Sequence, residues 1–142
     1  MELPKLPTVV ETAIVEEAHR SNLTVLAHSF TLDDTLEVLS QGVDGTAHAV
    51  LDKPPTKALI ETFQKSGDFC IPALAVIGSN IEEGSVMQKK YAHDSRAQGL
   101  LVKGGEERMC QCLAMTKRSD GSLRHAFDTV RRLKEANIDI LR

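Results

Sequence analysis

The period of the hydrophobic pattern switches repeatedly between helix and strand values along the first 77 residues. Val9, Val10, Ala13, Ile14 and Ala18 recur at helical spacing. Pro7 stands before this run, and Thr8 with Glu11 matches a Thr-x-x-Glu capping box. After Ser21-Asn22, the stretch Leu23 to His28 is short and β-rich, which predicts a strand. Thr31 then caps a second helix with Leu32, Leu36 and Leu39 on one face, and Gly42 takes its C′ position. Val43 to Val50 predicts a second strand, ending near His48. Pro54-Pro55-Thr56 opens a third helix carrying Leu59, Ile60 and Phe63, which Gly67 ends. Phe69 to Leu74 predicts a third strand, with Pro72 near its end because proline removes a ladder donor.

The rhythm breaks over 78–118, where Gly78, Gly84, Gly99, Gly104 and Gly105 interrupt charge-dense sequence. That stretch is too long for a plain connection in a compact domain, so it holds helices of its own. These are expected at Glu82–Tyr91 and Glu106–Met115, the second presenting Met109, Cys112 and Leu113 on one face. A last helix follows from Ser122 to Ala136, with Leu123, Ala126, Phe127, Val130 and Leu133 in register. Asn137 stops it, and Ile138 to Leu141 begins a strand. The order αβαβαβ, insertion, αβ predicts a parallel sheet with right-handed crossovers. Four such strands make either a small doubly wound sheet or half of an eight-stranded barrel. The pattern itself does not choose between them.

Composition narrows the setting. The 142 residues are 42% hydrophobic and 26% charged, which excludes a disordered chain and fits one domain, 1–142. Aromatic residues are 4% of the chain, so the core is expected to be aliphatic. A net charge of −3 gives no basic field for nucleic acid. The longest apolar stretch, around Ala73 to Ile77, is far short of a membrane span. Three cysteines and a start without a signal-peptide pattern give the expectation of a cytoplasmic protein.

His28 and His48 are the candidate chemistry. Each follows an alanine at the end of a predicted strand, and they stand twenty residues apart, one βα unit. Ligand sites of parallel α/β folds lie at such strand ends. Two imidazoles there converge on one divalent metal, or else they are buried histidines bonded to nearby backbone. His19 sits where a helix C-terminus favours an imidazolium, a structural place. His93 and His125 are expected on solvated surface, and Cys70 in the core. Cys110 and Cys112 point to different helix faces and are expected to pack rather than to bind metal. Asp33, Asp34, Asp44 and Asp68 are explained as caps, turns or dipole-favoured charges. Asp52, just beyond His48, is the one acid on the expected active face.

Several segments in series carry a family resemblance. Val15-Glu16-Glu17-Ala18-His19-Arg20, Val25-Leu26-Ala27-His28, Gly42-Val43-Asp44-Gly45-Thr46-Ala47-His48 and Phe69-Cys70-Ile71-Pro72-Ala73-Leu74 resemble the metal-dependent amidohydrolases of the imidazolonepropionase and prolidase-like group. The resemblance implies a partial (β/α)8 TIM barrel, strands 5 to 8, with a helical insertion at 78–118. It implies a divalent metal, zinc by preference, and a small amide or cyclic amide substrate hydrolysed by metal-activated water. It makes His28 the ligand from the fifth strand and His48 the ligand from the sixth. The family's His-x-His pair, bridging lysine and late aspartate have no counterpart here, and neither Lys5 nor Asp139 takes such a role. The chain therefore reads as a fragment-like, C-terminal half with an incomplete metal site and little or no hydrolase activity. As an alternative, it is a non-catalytic α/β module that pairs with another copy, or with a missing N-terminal half, through exposed sheet edges.

Overall fold

A computed structural model describes residues 5–79, 81–96, 99–111 and 121–141. Local chemistry sets most element ends. Thr56 accepts a hydrogen bond from the Leu59 amide and starts α3 (Lys57–Ser66), and Gly67 ends it at φ +75°. Thr31 does the same for α2 (Leu32–Ser40) by accepting from the Asp34 amide, and Gly42 follows at φ +85°. These are capping and left-handed C′ positions that glycine reaches without a Cβ penalty. The capping box expected at Thr8 does not form. Pro7 holds the N-cap position of α1 (Thr8–Arg20), and the Thr8 hydroxyl donates instead to Glu37 on α2.

The strands are shorter than the apolar runs that predict them. They are β1 (Leu26–His28), β2 (Gly45–Ala47) and β3 (Phe69–Ile71). They pair in parallel in the order β1-β2-β3, with Ala27 opposite Thr46 and Thr46 opposite Cys70. Two backbone turns end them early. His48 lies at φ +82° directly after β2, and Ala73 at φ +44° after Pro72. The expected strand through Leu74 gives way there to a short helix, α4 (Leu74–Ser79), which the apolar pattern does not reveal. The predicted last strand contributes a single parallel bridge from Ile140 to Cys70, backed by bonds from the Cys70 amide to Asp139 and from the Leu141 amide to Cys70.

In the 78–118 stretch, α5 (Glu82–Ala92) lies where expected and α6 (Gly105–Gln111) covers the start of the second predicted helix. Cys112, Leu113 and the rest of that expectation fall outside the described residues. Helix α7 (Leu123–Glu135) is capped by Ser122 and followed by Asn137 at φ +57°. Among the described residues, no helix is long and apolar enough to cross a membrane.

One apolar cluster joins Val15 of α1, Leu39 of α2, Leu59 and Phe63 of α3 and Leu133 of α7 to Cys70 of β3. Four helices therefore share one core against the sheet. Ala27 packs against that cluster. Because side chains alternate along a strand, Leu26 and His28 point to the opposite face. A second cluster of Ala49, Leu51, Ile77, Ile81, Leu123 and Ala126 lies beyond the strand ends.

Candidate functional site

The parallel register places His28 beside Ala47, so His48, the next residue, lies one step past the same strand ends. The His48 amide donates to the Ile71 carbonyl at 2.7 Å and the Ala49 amide to Pro72 at 3.2 Å. Two backbone bonds to the β3 chain thus flank the left-handed turn at His48. That geometry turns the imidazole towards β1. His28 Nδ1 and His48 Nε2 lie 2.9 Å apart, and the two rings are tilted by 45°.

His48 is buried, 8% exposed, whereas His28 is open to solvent. Phe30 stacks on the His48 ring at 4.3 Å and 13°. Burial, and then the charge of His28, hold the His48 imidazole below the usual histidine range. The neutral ring is the form that binds a metal. The sequence pattern passes over Phe30. Its position two residues after His28, on the same side of an extended chain, is the signal that it belongs to the pair.

Nitrogens bound to one zinc at ~2.0–2.1 Å sit about 2.9–3.4 Å from each other for angles between ~90° and tetrahedral. The observed 2.9 Å is the length of a direct hydrogen bond between the two rings, and it meets the ~90° end of that range. A full set needs at least one more donor, and the described residues contain no group of three or more histidines, cysteines or acids placed to hold a metal. His48 Nδ1 is buried without a hydrogen-bond partner, where a metal-bound histidine ordinarily donates to a carbonyl or carboxylate. Among the described residues the pair is not part of a whole ligand set.

The other candidates settle into structural places. Asp52 accepts a hydrogen bond from the Leu32 amide at 2.8 Å and secures the start of α2. Asp44 accepts from the Val25 amide at 2.6 Å and lies 3.0 Å from His19 Nε2, at the opposite ends of the strands. These bonds lower its carboxyl pKa. Asp33 pairs with Lys53, and Lys5 with Asp34 and Glu37. Asp68 is buried against Ser66, and desolvation raises its pKa. Cys70 is in the core, and burial pushes its thiol up to about 11, which makes it unreactive at neutral pH. His93 is exposed and lies 3.8 Å from Glu106. His125 departs from expectation. It is half-buried, and its Nδ1 is buried without a hydrogen-bond partner.

No family model and no curated protein matches this sequence. Solved structures do resemble it. A prolidase crystallised with N-methylphosphonate-L-proline aligns over 96% of this chain and 27% of its own, with a TM-score of 0.59 and 15% identity. A Xaa-Pro dipeptidase with methionine bound in its active site aligns over 98% of this chain and 28% of its own, with a TM-score of 0.56 and 12% identity. The chain thus spans little more than a quarter of these neighbours' length, and the likeness is one of fold.

Proposed function

We propose that this chain is part of an amidohydrolase-type (β/α)8 barrel, its four units corresponding to strands 5 to 8 and 78–118 to a helical insertion. His28 and His48 are two ligands of a divalent metal, zinc by the preference of paired imidazoles, in a cytoplasmic setting. The observation that carries this is the strand-end pair itself, with nitrogens 2.9 Å apart on neighbouring parallel strands. The one-sided core supports the barrel. A doubly wound sheet carries helices on both faces, whereas α1, α2, α3 and α7 all feed one cluster here. The prolidase and dipeptidase neighbours support a small amide-type substrate.

When bound, such a metal supplies a water of lowered pKa for attack on a carbonyl. This chain's own part is to hold two neutral imidazoles at the strand ends, one of them fixed by Phe30. Two ligands without a third, and without a base, among the described residues imply little or no hydrolysis by the isolated chain. Zinc titration followed by calorimetry tests the ligand assignment. Weak binding that disappears in both His28→Ala and His48→Ala is the expected result, and binding unchanged in the double variant overturns it. Robust hydrolysis of a Xaa-Pro dipeptide by the isolated chain with Zn²⁺ or Mn²⁺ would contradict the incomplete site. A second reading, a non-catalytic module that associates with another chain, is favoured by the apolar outer face of α1, where Val9 is 75% and Ile14 47% exposed.

A further inference from the structure

Three open apolar surfaces meet along β1. The sheet face turned away from the helices carries Leu26, 41% exposed, and His28 on β1, buried Gly45 and Ala47 on β2, and half-buried Phe69 and Ile71 on β3. Parallel sheets are ordinarily covered on both faces. The outer edge of β1 is the second surface, because among the described residues its one strand partner is β2. A cleft of about 250 Å³ runs along that edge, bordered by Leu6, Ile14, Val15, Leu26 and His28. Helix α1 provides the third. Its Thr8, Thr12 and His19 bond to Glu37, Gln41 and Asp44 on the side towards α2. At about 100° per residue, Val10, Ile14 and Ala18 then occupy the side turned away from α2. They line an apolar trough together with Val9 and Glu17.

The other end of the sheet is complementary. The chain from Ile138 to Leu141 lies beside β3 as a fourth parallel position, and among the described residues no strand pairs with its far edge. Helix α7 runs into that segment. Arg132 bonds to the Pro55 carbonyl, and Ala136 accepts from Gln64, so α3 occupies one side of α7. The opposite side presents exposed Lys134 and, nearer the start of α7, Phe127, 51% exposed, which also borders an apolar cleft with Leu74 of α4, Tyr91 of α5 and Met109 of α6. The two helices also carry opposite net charge. α1 carries Glu11, Glu16 and Glu17 against Arg20, a formal −2, and α7 carries Arg124, Arg131, Arg132 and Lys134 against Asp128 and Glu135, a formal +2.

We infer that two copies of this chain close into one eight-stranded barrel. β1 of each copy lies beside the 138–141 segment of the other, and α1 of each packs against α7 of the other. Four parallel positions per copy make eight strands, and a two-fold axis makes both junctions identical. The sheet faces turned away from the helices become the shared interior. Because every strand runs the same way, both His28–His48 pairs stand at one mouth. The inference rests on the barrel proposed above, but not on metal binding.

Light scattering on the purified full chain in EDTA tests it, since a failure of metal binding leaves that measurement unaffected. The expected molar mass is twice 15.5 kDa. Ile14→Glu is expected to halve the mass with an unchanged far-ultraviolet spectrum. Glu17→Lys and Lys134→Glu are each expected to weaken dimerisation, and the double charge swap to restore it. A zero-length cross-link from Lys134 to an α1 glutamate, joining isotopically light and heavy copies, places the two helices side by side. A wild-type monomer at its highest soluble concentration overturns the inference. So does a dimer whose intermolecular cross-links join α1 only to α1.

Discussion

At the scale of single residues, His48 combines three constraints: a left-handed backbone, burial, and contact with both His28 and Phe30. Left-handed geometry costs an L-residue roughly 1–2 kcal/mol, least for Asn and most for β-branched side chains. His48→Val is therefore expected to be less stable than His48→Asn by about 1 kcal/mol in urea unfolding. Asp44 supports a pH prediction. Its carboxylate accepts from the Val25 amide and pairs with His19, and both lower its pKa in the folded state. The unfolded chain then takes up the proton first. The stabilisation is present in full above the ordinary aspartate pKa and is lost as pH falls through the folded value. With the side chain 38% exposed, solvent screening limits the cost of Asp44→Ala to about 1 kcal/mol at neutral pH. In urea melts at neutral and at acid pH, the gap between wild type and Asp44→Ala is expected to shrink at the acid end. The sequence displays His28 and His48 by their spacing. It conceals the orphaned Nδ1 of His48 and the place of Asp52 at α2, because both depend on where neighbouring loops return.

At the scale of elements, caps are the most readable feature. Thr31→Ala and Thr56→Ala are each expected to cost about 1 kcal/mol, because each hydroxyl satisfies a free helix amide. Thr8→Ala is expected to cost under about 0.5 kcal/mol, because Thr8 caps no helix and its contact with Glu37 is exposed. Thermal melts of the three variants separate these cases. Glycine at 84 was legible only as a break in the pattern. Its reason is tertiary: a methyl there would land on the carbonyl of Gly78, so α4 and α5 meet backbone to backbone. Gly84→Ala is expected to cost more than about 2 kcal/mol in chemical denaturation, because the colliding group is main chain and cannot swing aside. The strands are shorter than the apolar runs that hold them. Apolar runs at 43–50 and 69–74 each contain three strand residues, because His48 and Ala73 turn the chain. Apolar character reports burial and does not report pairing.

At the scale of the whole molecule, stability is unevenly spread. Thr46, Cys70, Leu59 and Phe63 are fully enclosed, whereas α1 buries one side chain, Val15. Local opening follows buried apolar contact. Amides of α1 are therefore expected to exchange with solvent before those of α3 and β2 under native conditions. An α1 as protected as α3 in the isolated monomer would contradict this. The βα order, the positions of α1, α2, α3, α5 and α7 and the pair of strand-end histidines were determined by the sequence, through local periodicity, capping chemistry and spacing. Tertiary structure decided the rest: where α4 begins and strands end, what stacks on His48, and that four helices share one face while, among the described residues, the β1 edge stays unpaired. Those depend on contacts between segments far apart in the chain, which no local pattern encodes.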